Sequence, residues 1–118
     1  MSVQTIYDIT ADLNDNSNYN LDVGGWDYAV VHLVSPTGTF SFTTSNDANA
    51  ITGASDGNAT SATNFLTVVG TLLSDNSTVS TLAASGMVRF TSVGRFLRLA
   101  APGAAQVTKA LVRLYKIH

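Results

Sequence analysis

Few residues in this chain can do acid–base or nucleophilic chemistry at neutral pH, and their spacing is the first constraint on function. The only imidazoles belong to His32 and His118. His32 sits inside the apolar run Tyr28-Ala-Val-Val-His-Leu-Val34, on the strand face it shares with Tyr28, Val30 and Val34, where packing is the expected role. His118 is the last residue. The sequence has no Gly-x-Ser-x-Gly elbow, no His-Glu-x-x-His pair and no phosphate-cradling glycine loop. There is no cysteine, which excludes thiolate chemistry and disulfides, and two distant histidines do not make a zinc site. All eight acids are Asp, with no Glu, and no cleft-forming insertion accompanies them as paired glycosidase carboxylates require. The expectation is a protein that is not an enzyme and carries no cofactor. One oxygen-rich constellation remains. Asp12, Asn14 and Asn16 match the first three ligand positions of an EF-hand loop, although Ser17 stands where the turn glycine belongs and Val23 where the bidentate Glu belongs. A polar surface turn is the expected structure there, with calcium as the competing reading. Trp26, the sole tryptophan, suits packing at the rim of a core or, alternatively, a sugar-stacking platform.

The elements that must position these residues read as strands. At 118 residues the chain is long enough for one domain, 1–118, with its own core. Thr, Ser, Asn and Gly are abundant and good helix formers on polar faces are missing. Val3–Ile9 alternates as a first strand at an edge, and Asp12–Asp22 follows as the polar loop. Tyr19–Val23 puts Tyr19, Leu21 and Val23 on one side before Gly24-Gly25 turns the chain. Trp26–Asp47 reads as a hairpin: an arm apolar on both faces (Tyr28–Val34), a Pro-Thr-Gly turn, and an alternating arm (Thr39–Thr44) with Phe40 and Phe42 on one side. Ala48–Asn64 is a long loop or two very short strands around Asp56-Gly57. Phe65–Leu73 is an apolar strand with a bulge or bend at Gly70, and Thr78–Leu82 returns from it. Met87–Thr91 and Phe96–Ala100 follow, then a Pro102-Gly103 turn and the long final strand Val107–Ile117. About eight short strands with turn-marked spacing and no helix imply an all-β fold, an antiparallel β-sandwich of jelly-roll or Ig-like type.

The net charge of −2 hides a complete segregation: every Asp lies in residues 1–88, and every Lys and Arg in residues 89–118. The basic residues are interleaved with Leu, Val and Phe in strands, so few phosphates would be neutralised and no nucleic-acid role is expected. With no basic n-region and no long apolar segment, neither a secretory signal nor a membrane span is expected. Either Asp occupies loops and Arg the sheet faces, or acidic loops of one subunit meet basic strands of the next in an ordered head-to-tail or ring contact. On either reading Arg89, Arg95, Arg98 and Arg113, with Trp26, are the candidates for contact residues.

Three segments together carry a resemblance: DVGGWDYAVVHLV, GTFSFTTSND, and GRFLRLAAPG followed by VTKALVRLYKI. They resemble the small β-sandwich domains of tailed-bacteriophage virion proteins, found as head decoration, head-fibre or tail-associated modules. The resemblance runs from Leu21 to Ile117; where the pattern often continues Ser-Asn-Asp-Gly, this chain has Ser45-Asn46-Asp47-Ala48. It implies a structural protein located in the virion, assembled in the bacterial host cytoplasm, that binds capsid or tail proteins through sheet faces or edges. Strands apolar on both faces suggest a homo-oligomer, with a trimer as the form that fits virion attachment. The alternative expectation is a carbohydrate-binding module, calcium-assisted, resting on Trp26, the four tyrosines and the Asp/Asn loop, with a glycan as partner.

Overall fold

The computed structural model describes residues 2–47, 64–101 and 104–117; the expected loop over residues 48–63, the Pro102-Gly103 turn and His118 lie outside them. Among the described residues are eleven strands and one helix: β1 (Ser2–Asp8), α1 (Thr10–Asn16), β2 (Asn18–Asp22), β3 (Tyr28–Val34), β4 (Phe40–Ser45), β5 (Leu66–Thr67), β6 (Gly70–Leu72), β7 (Thr78–Val79), β8 (Thr81–Leu82), β9 (Gly86–Phe90), β10 (Phe96–Ala100) and β11 (Lys109–Ile117). One sheet runs β1-β11-β3-β9-β6-β7 and the other β2-β10-β4-β5, with β8 also paired to β4, all antiparallel. Their inner faces meet in a core containing Val31, Leu33, Phe40, Phe42, Val88, Phe90, Leu97, Leu99, Val112 and Leu114. Phe42 and Phe90 pack edge to face across the two sheets, with ring centroids 5.0 Å apart.

The order is that of a jelly roll, which selects between the two sandwich types expected from sequence. Ser2 faces Ile117, Asp22 faces Phe96 and Ala29 faces Phe90, so each step inward from one end is matched from the other. The chain behaves as one long antiparallel hairpin rolled on itself.

That topology corrects the reading of Trp26–Asp47 as a hairpin. β3 pairs with β11 and β9, whereas β4 pairs with β10, β5 and β8; the two arms belong to opposite sheets. The connection between them starts with Ser35 at positive φ (51°), and Thr37 N–H donates to the Gln106 carbonyl (2.8 Å), holding the crossover down. The same principle divides Phe65–Leu73. Its first part, β5, lies in one sheet and its second, β6, in the other, with Gly70 at the start of β6. A Cβ at Gly70 would stand 2.5 Å from Val88 Cγ1 and 2.9 Å from the Arg89 carbonyl, so only glycine lets β6 approach β9. Thr78–Leu82 likewise splits into β7 and β8 around Ser80, whose carbonyl accepts from Phe42 N–H (3.0 Å). These two divisions turn the nine strand segments read from the sequence into eleven strands.

The second correction is α1, where a polar loop was expected. Asp8 starts it by accepting from Thr10 N–H (3.0 Å) and Thr10 Oγ1 (2.6 Å), and Ser17 ends it in the left-handed conformation (φ 58°). Ile9 and Leu13, one turn apart, both insert into the core. The helix closes one end of the sandwich.

Candidate functional site: the outer face of the six-stranded sheet

The two sheets differ in what lies on their outer faces. Beyond the core, β10 directs Phe96 and Arg98 away from Leu97 and Leu99, yet Phe96 and Arg98 are both 3% exposed. Asn20, opposite Arg98 on β2, is fully buried and accepts from Arg98 Nη1 (3.0 Å). The Phe65 ring lies 5.8 Å from the guanidinium. The middle of this outer face, around Arg98, is closed within the chain.

The outer face of the six-stranded sheet is open, and its registers place the side chains in rows. Because strand side chains alternate, residues of matching parity across the ladder share the face. One row reads Gln4, Tyr115, Tyr28; the next Ile6, Arg113, Val30, Arg89, Thr71; the next Asp8, Leu111, His32, Met87. Ile6, Val30, His32, Met87, Leu111 and Arg113 line a shallow groove. Ile6 (60% exposed) and Met87 (42%) stand most open, while Val30 lies low between its neighbours. Arg113 stacks over the Tyr115 ring (4.4 Å to the centroid), which contacts Tyr28 (centroids 4.8 Å). The central row alternates aliphatic and guanidinium groups, with the two arginines on either side of Val30. Two strand spacings separate Arg113 from Arg89, roughly 10 Å. Asp8, the carboxylate in these rows, is already engaged: Lys109 Nζ lies 2.9 Å away, and hydrogen bonds from Thr10 and then Lys109 hold its pKa down from 3.8 to about 2.

The candidate residues named from sequence separate accordingly. Arg89 and Arg113 are on this open face. Arg95 is at the far corner on the other sheet, bonded to Asp22 (3.2 Å) with its guanidinium 5.1 Å from the Phe96 ring. Asp22 is partly buried, which raises its pKa, but hydrogen bonds from Gly24 N–H and Arg95 outweigh this and leave it below the usual range. Arg98 is a correction: outward by alternation, it is buried within the chain and cannot be a contact residue. Trp26 is partly buried and packs against the core, and its backbone N–H donates to the Val23 carbonyl (3.2 Å). The calcium candidates do not converge. Asn14 points at β11's approach, where its Nδ2 donates to the Val107 carbonyl (2.9 Å) and its Oδ1 accepts from Val107 N–H (2.7 Å). Asn16 Nδ2 turns back to the Asp12 carbonyl (3.1 Å). Among the described residues no three His, Cys, Asp or Glu side chains cluster as a metal site. Sequence reasoning missed Ile6, Met87 and Leu111 as site residues; for Leu111 the available signal was a final strand apolar on both faces, whereas Ile6 and Met87 lie on strands of mixed outer face.

No family model matches the chain, and no curated protein matches it. Among solved structures it is similar to the SPBc2 prophage-derived protein YomS, with a TM-score of 0.61 at 16% identity, over 98% of this chain and 93% of that one. At that identity the likeness concerns the fold.

Proposed function

We propose that the chain is a non-enzymatic structural protein of a tailed-phage virion, decorating the head or forming part of a fibre or tail attachment. It docks through the outer face of the six-stranded sheet. The observation that carries the reading is the fold shared with a prophage-derived protein over nearly the whole of both chains. The open face supports it by its chemistry. Ile6, Val30, Leu111 and Met87 offer apolar area, and Arg89 and Arg113 offer cations, while Asp8 is engaged by Lys109. The matching surface on a capsid or tail protein is apolar with carboxylates placed to meet the two guanidinium groups. His32 sits among aliphatic side chains and Arg113, with no carboxylate in the groove lining to orient its ring, which favours packing in a contact over catalysis.

The test is made on purified particles of the phage that encodes the chain. Mass spectrometry is expected to find it at a fixed copy number, and Arg89→Glu with Arg113→Glu is expected to lower its incorporation without unfolding it. Particles that lack the protein would refute the proposal.

A further inference from the structure

The sheets of this sandwich end on strands of very different exposure. In the β2-β10-β4-β5 sheet, edge strand β2 has Asn18 and Asn20 buried, and β5 has two residues. In the other sheet, β7 also has two residues. β1 is a seven-residue edge strand, SVQTIYD, without Lys, Arg or Pro, the residues that normally guard an edge against pairing. Its two sides are both apolar and open. Ile6 is exposed on the outer face, while Val3 (42%) and Tyr7 (43%) are exposed on the inner side, opposite Lys116 and Val112.

The direction of its backbone groups follows from register. Ile9 N–H donates to the Ala110 carbonyl (3.0 Å), continuing the β1–β11 ladder by one position. Backbone groups of alternate residues point the same way. Tyr7, Thr5 and Val3 therefore bond to β11, and the N–H and C=O groups of Gln4, Ile6 and Asp8 face outward from the sheet.

We propose that β1 pairs antiparallel with β1 of a second copy, across a two-fold axis at Thr5, joining two six-stranded sheets into one. The occupant is a second copy because, among the described residues, no other open edge has the length to match β1. The strand is also self-complementary. Centred on Thr5, all seven residues pair, Val3 lies across from Tyr7 and Thr5 from Thr5, combinations that stabilise antiparallel pairs. Ile6 lies across from Gln4. The two Asp8 carboxylates fall at opposite ends of the ladder, each held by its own Lys109. Two-fold pairing of this kind gives a dimer in place of the trimer expected from sequence.

The experiment uses the full chain alone, so it is decided separately from the virion reading. Sedimentation velocity is expected to show a concentration-dependent dimer. Ile6→Pro removes an outward N–H and leaves the β1–β11 bonds intact, and should weaken the dimer at least about tenfold in Kd. Ile6→Lys, which keeps the backbone N–H and places a charge at the edge, should do the same if the proline variant folds poorly. Thr5→Cys reads the register. Residues facing each other in a non-hydrogen-bonded antiparallel pair lie about 4.5 Å apart at Cα, within disulfide reach. The chain has no other cysteine, so every disulfide formed is between copies. Thr5→Cys should oxidise to a covalent dimer and Ile6→Cys should not. A wild-type monomer at all concentrations, a dimer unaffected by both Ile6 variants, or a dimer in which Thr5→Cys fails to cross-link would each overturn the proposal.

Discussion

Replacing Asn14 with Ala tests whether this residue is a structural strut or a cation ligand. Its carboxamide acts as a piece of strand, donating to the Val107 carbonyl at 2.9 Å and accepting from the Val107 N–H at 2.7 Å. Val107 is buried, so truncation leaves two backbone groups without partners in a place water reaches poorly. An orphaned buried group costs about 1–3 kcal/mol. Both bonds are only part-buried, which puts each at the lower end of that range, for a loss of about 2–3 kcal/mol overall. For a chain of this length that corresponds to a fall of roughly 8–12 °C in Tm. The assay is urea unfolding with an unchanged m-value, repeated in EDTA and in excess calcium. The strut reading expects the same deficit in both. A deficit below about 0.5 kcal/mol, within the range of an ordinary surface change, or one seen only with calcium, would refute it.

Gly70→Ala should destabilise the protein by about 1–3 kcal/mol in the same assay, because the added Cβ meets the Val88 side chain and the Arg89 carbonyl and forces β6 from β9. Arg98→Ala should cost about 2–3 kcal/mol by leaving the buried Asn20 carbonyl without its charged donor, whereas Arg89→Glu should change stability by less than about 0.5 kcal/mol while weakening docking. The pKa of Asp8 is lowered on folding, from 3.8 to about 2, so its ionised form stabilises the native state above pH 4 and that contribution is lost as pH falls through 2. Hydrogen exchange at the start of α1 should accelerate across that window in the wild type, much less in Asp8→Asn, and the contrast should shrink in high salt.

Strands were legible in the sequence where an apolar run or an alternation is bounded by turn residues. Tyr28–Val34 and Phe96–Ala100 have the same bounds in the structure as in the reading, and Phe40 and Phe42 point into the core as their spacing requires. What could not be read was which sheet a strand joins. Nothing in Ser35–Thr39 says whether a turn closes a hairpin or crosses between sheets, since that depends on partners such as Gln106, far along the chain. Helix α1 was hidden for a related reason. TADLNDN has poor intrinsic helix propensity, and its stability comes from Leu13 in the core and Asn14 on Val107, both tertiary. The spacing of Ile9 and Leu13, with Asp8 two residues ahead of Thr10, was the one local sign. The site was half legible: Arg89 and Arg113 could be named as contact candidates, but the burial of Arg98, named with them, is not encoded by strand alternation.

The segregation of charge along the chain acquires a physical meaning from the rolled-hairpin topology. Pairing the first strands with the last brings the acidic part of the sequence against the basic part, and among the described residues Lys109 is neutralised this way by Asp8 and Arg95 by Asp22. Both pairs are substantially exposed, so they add little stability and chiefly remove charge from the surface. Arg98 is buried in the five-stranded sheet. The cations on the open face that no acid neutralises among the described residues are then Arg89 and Arg113, flanking Val30. A charge distribution that reads in sequence as a basic tail becomes, after folding, a narrow cationic stripe on an apolar face. On the docking proposed above, such a stripe sets the orientation of a carboxylate-bearing protein surface laid against the sheet. The same geometry keeps face and edge distinct, since β1 directs its open backbone groups along the sheet and the groove opens across it. A partner docked on the face and a second copy paired at the edge can therefore be bound together.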